Sequence, residues 1–208
     1  MDGRRGNGMP RITSEHRSAN RDQIIAAARR CFARQGFHGT SMPDIAAEAG
    51  VSTGAPYRYF SGKQELIVEV ARLAFAAIFD PVLRRLEESE DVTIAELVAT
   101  AVQATPAGAA PDRAELLRCG VMAWAELLRN PGLNGPAQAG FTRVTGEITQ
   151  ALSRAQAAGR LAPEAEPEAN ARVIMALLHG FLLQRVAFGR TDPDALAHDV
   201  RAAITGGG

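Results

Sequence analysis

Apolar residues recur at intervals of three and four along most of the chain. Ile24, Ala28, Cys31 and Phe32 make one such stripe, and Leu66, Val70, Leu73 and Ala77 make another. That spacing is the period of a helix with one buried face. The strict alternation of a half-buried strand persists nowhere, so the fold is predicted to be all-α, with about nine helices. Glycines, prolines and capping residues divide them: 18 or 20 to 35, two short helices between 41 and 60, then 62 to beyond 79, 93–105, 112–129, 136–158, 168–188 and 193–204. Residues 1–17 are rich in Gly and Arg with little apolar content, and read as a flexible basic arm. A small domain over 18–63 and a larger helical one over 64–208 follow.

The pair of short helices, TSMPDIAAEAGVSTGAPYRYFSGK, is the most informative stretch. Ser41 is a good N-cap and Pro43 lies in the first turn, where a missing N–H costs little. Ile45, Ala46 and Ala49 share a face. Gly50 supplies the break, because without a Cβ it reaches left-handed dihedrals freely. Val51 is placed to plug the turn, Ser52 to cap a second short helix reaching Phe60, and Ser61 to cap the next. Two helices joined in this way form a helix-turn-helix, whose second helix enters the DNA major groove.

With the preceding RDQIIAAARRCFARQGFHG, this stretch resembles the DNA-binding domain of the TetR family of transcriptional regulators. The matching residues are Ile25, Ala28, Phe32, Gly36, Phe37, Thr40, Ile45, Ala46, Ala49, Gly50, Val51, Gly54, Tyr57, Phe60, Lys63 and Leu66. Pro56 departs from the pattern, since the family usually has Leu, Ile or Val there; at the start of the short helix it is expected to leave that helix intact. The resemblance implies that Thr53 and Ala55 read bases, that Gly54 permits close approach, and that Tyr57 reaches a thymine methyl and the backbone. It places Arg58 more often on phosphate than on a base. Tyr57, Tyr59 and Lys63 are expected as phosphate clamps, joined by Thr40 and Ser41 at a helix N-terminus. The alternative for Tyr57 and Tyr59 is simple packing of the small domain. Arg11 and Arg17 are either a minor-groove arm or part of a solvated tail. In the larger half, WAELLRNPGL and AAGRLAPEAEPEANARVIMALLHGFLLQ look like the regulatory half of many family members.

Charge changes the picture through its distribution. The formal net charge is zero, but residues 1–63 hold ten Lys/Arg against five acids, leaving +5 there and −5 in the remainder. A basic head on an acidic body fits a DNA reader with a regulatory domain. No apolar run approaching the roughly 18 residues of a membrane span is evident. The N-terminal arginines lack an apolar stretch behind them, so no secretory signal is expected, and the protein is expected in the cytoplasm. Cys31 and Cys119 form no CxxC or Cys/His cluster, and His16, His38, His179 and His198 give no HxxxH pair. No metal, cofactor or catalytic residue is expected, which makes an all-helical enzyme the poorest reading.

Two further sets of residues are expected to matter. Phe75, Phe79, Arg118, Cys119, Met122, Trp124, Phe141, His179 and Gln184 are candidates to line an effector pocket, with ordinary core as the alternative for each. A redox-sensing Cys119 is a lesser possibility. The predicted effector is small and apolar or amphipathic, aromatic or cationic. Ile174, Leu177, Leu178, Phe181, Leu182 and Val186, with Leu196 and Val200 on the last helix, are candidates for a homodimer seam in which Gly180 permits close packing. The expected partners are therefore a double-stranded DNA operator, an effector and a second copy of the chain, with no membrane. The function these imply is a dimeric repressor of a palindromic operator released by its effector; a constitutive or protein-regulated DNA binder is the alternative.

Overall fold

The computed structural model describes residues 14–88, 94–103 and 111–189, and beyond them Ala195, His198, Asp199 and Ala202, all four helical. Among these residues there are seven α-helices and no strand: α1 Ser14–Gly39, α2 Met42–Glu48, α3 Lys63–Glu88, α4 Ile94–Gln103, α5 Pro111–Arg129, α6 Asn134–Ala157 and α7 Pro167–Phe188. The all-α class therefore stands. The count is lower than nine because the expected second helix of the helix-turn-helix is not α-helical, and the expected last helix lies mostly outside the described residues.

Two apolar cores follow from the sequence stripes. Ile24, Ala28, Cys31 and Phe32 of α1 close on Ile45 and Ala49 of the second helical segment, on Phe60, and on Leu66, Ile67 and Val70 at the start of α3. Phe32 meets Phe37 edge-on at 5.0 Å, the arrangement favoured by the ring quadrupoles. The second core joins the far half of α3, from Ile78 to Leu86, with α4, α6 and α7. α3 thus belongs to both cores, so the small core extends past the expected boundary at 63 to Val70.

α1 starts at Ser14, inside the stretch expected as an arm, and kinks at Gly36, whose φ of 74° and ψ of 169° no helix contains. α3 runs straight through Pro81, although proline can neither donate to the carbonyl one turn back nor sit without crowding it. That carbonyl belongs to Ala77, and Arg113 of α5 donates to it from Nη2 at 3.0 Å. A side chain from a neighbouring helix thus replaces the bond that proline forfeits.

α7 corrects one expectation. By length and composition it is apolar enough to cross a membrane. It packs instead within the bundle, through Ala171, Ile174, Met175, Leu178, Phe181 and Leu182. These residues also correct the predicted dimer seam: Ile174, Leu178, Phe181 and Leu182 are core of their own protomer. Of the predicted seam residues on α7, Leu177 is exposed, and the apolar residues exposed beside it are Val173, Leu183 and Phe188. Leu196 and Val200 lie outside the described residues.

Candidate nucleic-acid interface and effector cavity

The interface begins with the cap of α2. Ser41 accepts from the Asp44 N–H at 3.3 Å, while the Asp44 carboxylate accepts from the Ser41 N–H at 2.8 Å and its hydroxyl at 2.6 Å. This reciprocal capping box fixes where α2 starts. The Ser41 hydrogen bonds hold the Asp44 carboxyl below the usual carboxylate range. An anionic side chain therefore already occupies the helix N-terminus proposed for phosphate. Thr40 is corrected more plainly: it is buried, and its hydroxyl donates to the Gly36 carbonyl at 2.9 Å, tying the kink of α1 to the start of α2.

Gly50 makes the turn at a φ of 66°, and Gln23 of α1 holds the end of α2 by donating to the Ala49 carbonyl at 2.6 Å. Beyond the turn, the structure departs from the sequence reading. Residues 52–60 form a turn followed by a single 3-10 turn at Pro56–Arg58. The cause is Pro56. In an α-helix capped by Ser52, residue 56 would donate the first intrahelical bond, to the Ser52 carbonyl, and proline has no N–H. The Ser52 carbonyl accepts instead from the Ala55 N–H at 2.8 Å, a tighter i→i+3 closure. Pro56 itself is buried where an aliphatic side chain was expected.

This segment still presents a polar outer surface. Thr53, Gly54, Tyr57 and Arg58 are exposed, and Ala55 is half-buried. Tyr59 packs against the small core, which supports the packing alternative for that residue. Lys63 donates to the Thr40 carbonyl at 2.9 Å, binding the start of α3 to the start of α2. Glu65 accepts from the N–H and hydroxyl of Ser61 at 2.7 and 2.9 Å, closing the entry to α3. Several arginines of α1 are engaged by carboxylates: Arg30 and Arg34 grip Glu48 at 2.6 and 3.0 Å, and Arg29 meets Asp112 and Glu115 of α5.

α5 is a second link between head and body that the sequence did not show. Besides the Arg29 pairs, His38 meets the buried carboxylate of Glu126 at 3.1 Å. Cys119 is buried against α1, with its thiol 3.6 Å from the Arg29 carbonyl. Burial pushes the Cys119 thiol up to about 12, far from the thiolate character that redox sensing needs. Cys31 is core, as expected.

The body holds a cavity of about 220 Å³ between α3, α5, α6 and α7. Of the predicted pocket residues, Phe75, Phe79, Trp124 and His179 line it, and the Phe141 ring stacks on His179 at 5.7 Å. Arg118 is exposed, Gln184 is exposed, and Cys119 and Met122 face the head core. The sequence reading missed Gly120, where an added Cβ would come within 3.0 Å of the Ala74 Cβ. A glycine inside the helical run LLRCGVMAW was the available signal, since a glycine there costs helix stability and points to tight packing. Leu178 and Leu182, expected in the dimer seam, are cavity walls.

Comparison with known proteins agrees with this geometry. Residues 24–70 match the model for bacterial regulatory proteins of the tetR family, and residues 95–206 match that for the C-terminal region of BetI-type transcriptional repressors. The uncharacterized regulator YfiR of Bacillus subtilis is 34% identical over 82 residues, a match covering 39% of this chain and 38% of YfiR. The regulator UidR of Escherichia coli is 25% identical over 190 residues, covering 89% of this chain and 91% of UidR. SmeT, the repressor of the Stenotrophomonas maltophilia multidrug efflux pump SmeDEF, superposes with a TM-score of 0.69 at 26% identity, covering 88% of this chain and 89% of SmeT. With a head built for a groove, a hollow helical body and matches that span both, the chain belongs to the TetR family of helix-turn-helix transcriptional regulators.

Proposed function

We propose that the protein is a cytoplasmic repressor that binds a palindromic operator as a homodimer and leaves it when a small apolar or amphipathic effector fills the cavity between α3 and α7. One observation carries this reading: α3 belongs both to the core behind the exposed 52–60 segment and to the wall of the cavity. A molecule among Phe75, Phe79 and Trp124 therefore acts on the same rigid element that positions the reading head. An effector shifts DNA binding only by its different affinities for two conformations, and a preference of about 2 kcal/mol lowers operator affinity roughly thirtyfold.

In the head, Thr53 and Ala55 are the base readers, with Gly54 admitting close approach. Tyr57 and Arg58 contact backbone. Lys63 uses one donor on Thr40 and keeps two for phosphate. No Asn or Gln stands in the segment for bidentate base contacts, so shape and methyl contacts carry much of the specificity. The dimer follows from the exposed stripe Val173, Leu177, Leu183 and Phe188 on α7, which is apolar surface a second copy would cover. The work is binding, not catalysis.

Operator titrations at several salt concentrations test the assignment. Arg58→Ala should weaken every sequence alike and lower the salt slope by about 1 per lost contact, so about 2 per dimer. Thr53→Ala should instead relax preference at one position of each half-site. Unchanged affinity and slope in a Tyr57→Ala, Arg58→Ala double variant would remove this segment from the interface.

A further inference from the structure

The chemistry of the cavity is narrower than its apolar walls suggest, because its polar group has a defined state. His179 stands on α7 with Nδ1 2.5 Å from the Met175 carbonyl, one turn back on the same helix. A carbonyl only accepts, so Nδ1 carries the proton. Burial pushes the imidazole pKa down, and the bond to Met175 opposes this only in part. The ring is therefore neutral near pH 7, and Nε2, on the side of the ring away from its own helix, keeps a lone pair. Among the described residues nothing donates to Nε2.

The surroundings set size and charge. Rings enclose the imidazole: Phe79 at 5.7 Å, Phe141 at 5.7 Å and near parallel, and Trp124 edge-on at 4.9 Å. Among the described residues no carboxylate lines the cavity, and the ionic residue there is Arg72. That guanidinium is largely exposed and paired with Glu69 at 2.9 Å. A cation would find aromatic faces but no counter-charge among the lining residues. A volume of about 220 Å³ exceeds the roughly 150 Å³ cavity that holds benzene, leaving room for one substituted ring.

We propose that the cavity takes a neutral single-ring molecule bearing one O–H or N–H donor, a phenol in its simplest form, whose donor bonds to His179 Nε2. That such a molecule is the effector rests on the function proposed above; that it binds here does not. The site would thus discriminate by what the ligand donates rather than by charge, rejecting rings of the same shape that leave Nε2 unpaired.

Trp124 is the only tryptophan and touches His179, so its fluorescence reads the site directly. The full-length protein is titrated with phenol, anisole, toluene, benzoate and phenyltrimethylammonium. Phenol should bind about tenfold or more tighter than anisole and toluene, with phenyltrimethylammonium weaker still. His179→Phe should erase the preference while toluene continues to bind, and His179→Gln, which retains an acceptor, should restore part of it. Equal affinities for phenol and toluene in the wild type, tightest binding of the ammonium, or no binding of any ring would each overturn the proposal, whatever the variants do. The same titrations repeated with operator DNA separate the two readings: linkage requires operator to weaken an effector. Phenol that discriminates as expected yet binds equally with and without operator would leave the ligand class standing and remove the cavity from control of DNA binding.

Discussion

At the scale of single residues, the informative groups are those whose surroundings differ from water. His179 is half-buried and its pKa is lowered by that desolvation. The unfolded imidazole takes up a proton as pH drops through its ordinary value near 6.5, while the folded one resists it. The unfolded state then binds more protons, and stability must fall over that window. Asp44, Glu48, Glu65 and Glu69 are shifted down by hydrogen bonds from Ser41, Arg30, Ser61 and Arg72 respectively. Their stabilisation is present above the ordinary carboxylate range near 4 and is lost below it. The two windows are separate, so the wild-type Tm should decline between pH 7 and 5 by calorimetry and the decline should flatten in His179→Phe. A second, steeper loss below pH 4 should survive that substitution. Cys119 shows what the sequence could not supply at this scale. Its helix and register were legible, but whether it faced a cavity or the head depended on α1 packing onto α5, a contact 90 residues apart in the chain.

At the scale of elements, periodicity and punctuation placed most helices within a few residues, because Gly36, Gly50 and the prolines act locally. Where the reading failed, the decisive bond was also local but needed exact register. A proline in the first turn of a helix is tolerated, yet counted from Ser52 Pro56 occupies the position of the first required donor, and the turn tightens to 3-10. Pro81 lies inside α3 rather than at its end, for a long-range reason: Arg113, 36 residues from Ala77, satisfies the Ala77 carbonyl that proline abandons. This compensation is measurable. Arg113→Ala should cost about 1–3 kcal/mol, the range for a buried polar group left unpaired. In a Pro81→Ala background the backbone N–H returns, and the same substitution should cost at least about 1 kcal/mol less. Equal costs in the two backgrounds, by denaturant unfolding, would assign Arg113 another role. The close crossing at Gly120 belongs with these cases, since only its flexible-seeming glycine was visible in the sequence.

At the scale of the whole molecule, the head is held by α3 and α5, and α7 carries an uncovered apolar face. Successive major grooves lie roughly 34–36 Å apart, so a second copy must fix the distance between heads for an operator to be read. On α7 the residues divide cleanly: Phe181 faces inward and is 5% exposed, whereas Leu177 faces outward and is 39% exposed. The division separates folding from assembly, which the sequence pattern alone could not do because α7 is apolar on both sides. Phe181→Glu places a charge in the protomer core and should abolish the cooperative unfolding transition. Leu177→Glu should leave that transition nearly unchanged in the monomer. In a symmetric seam each substitution occurs twice, so Leu177→Glu should weaken the dimer by about 3 kcal/mol or more, over about a hundredfold in dissociation constant. Light scattering across a dilution series reads the assembly, and operator binding should fall with it although residues 52–60 are untouched. A Leu177→Glu protein that stays dimeric at nanomolar concentration and holds operator at wild-type affinity would move the seam off α7, and the exposed Val173, Leu183 and Phe188 would then need another cover.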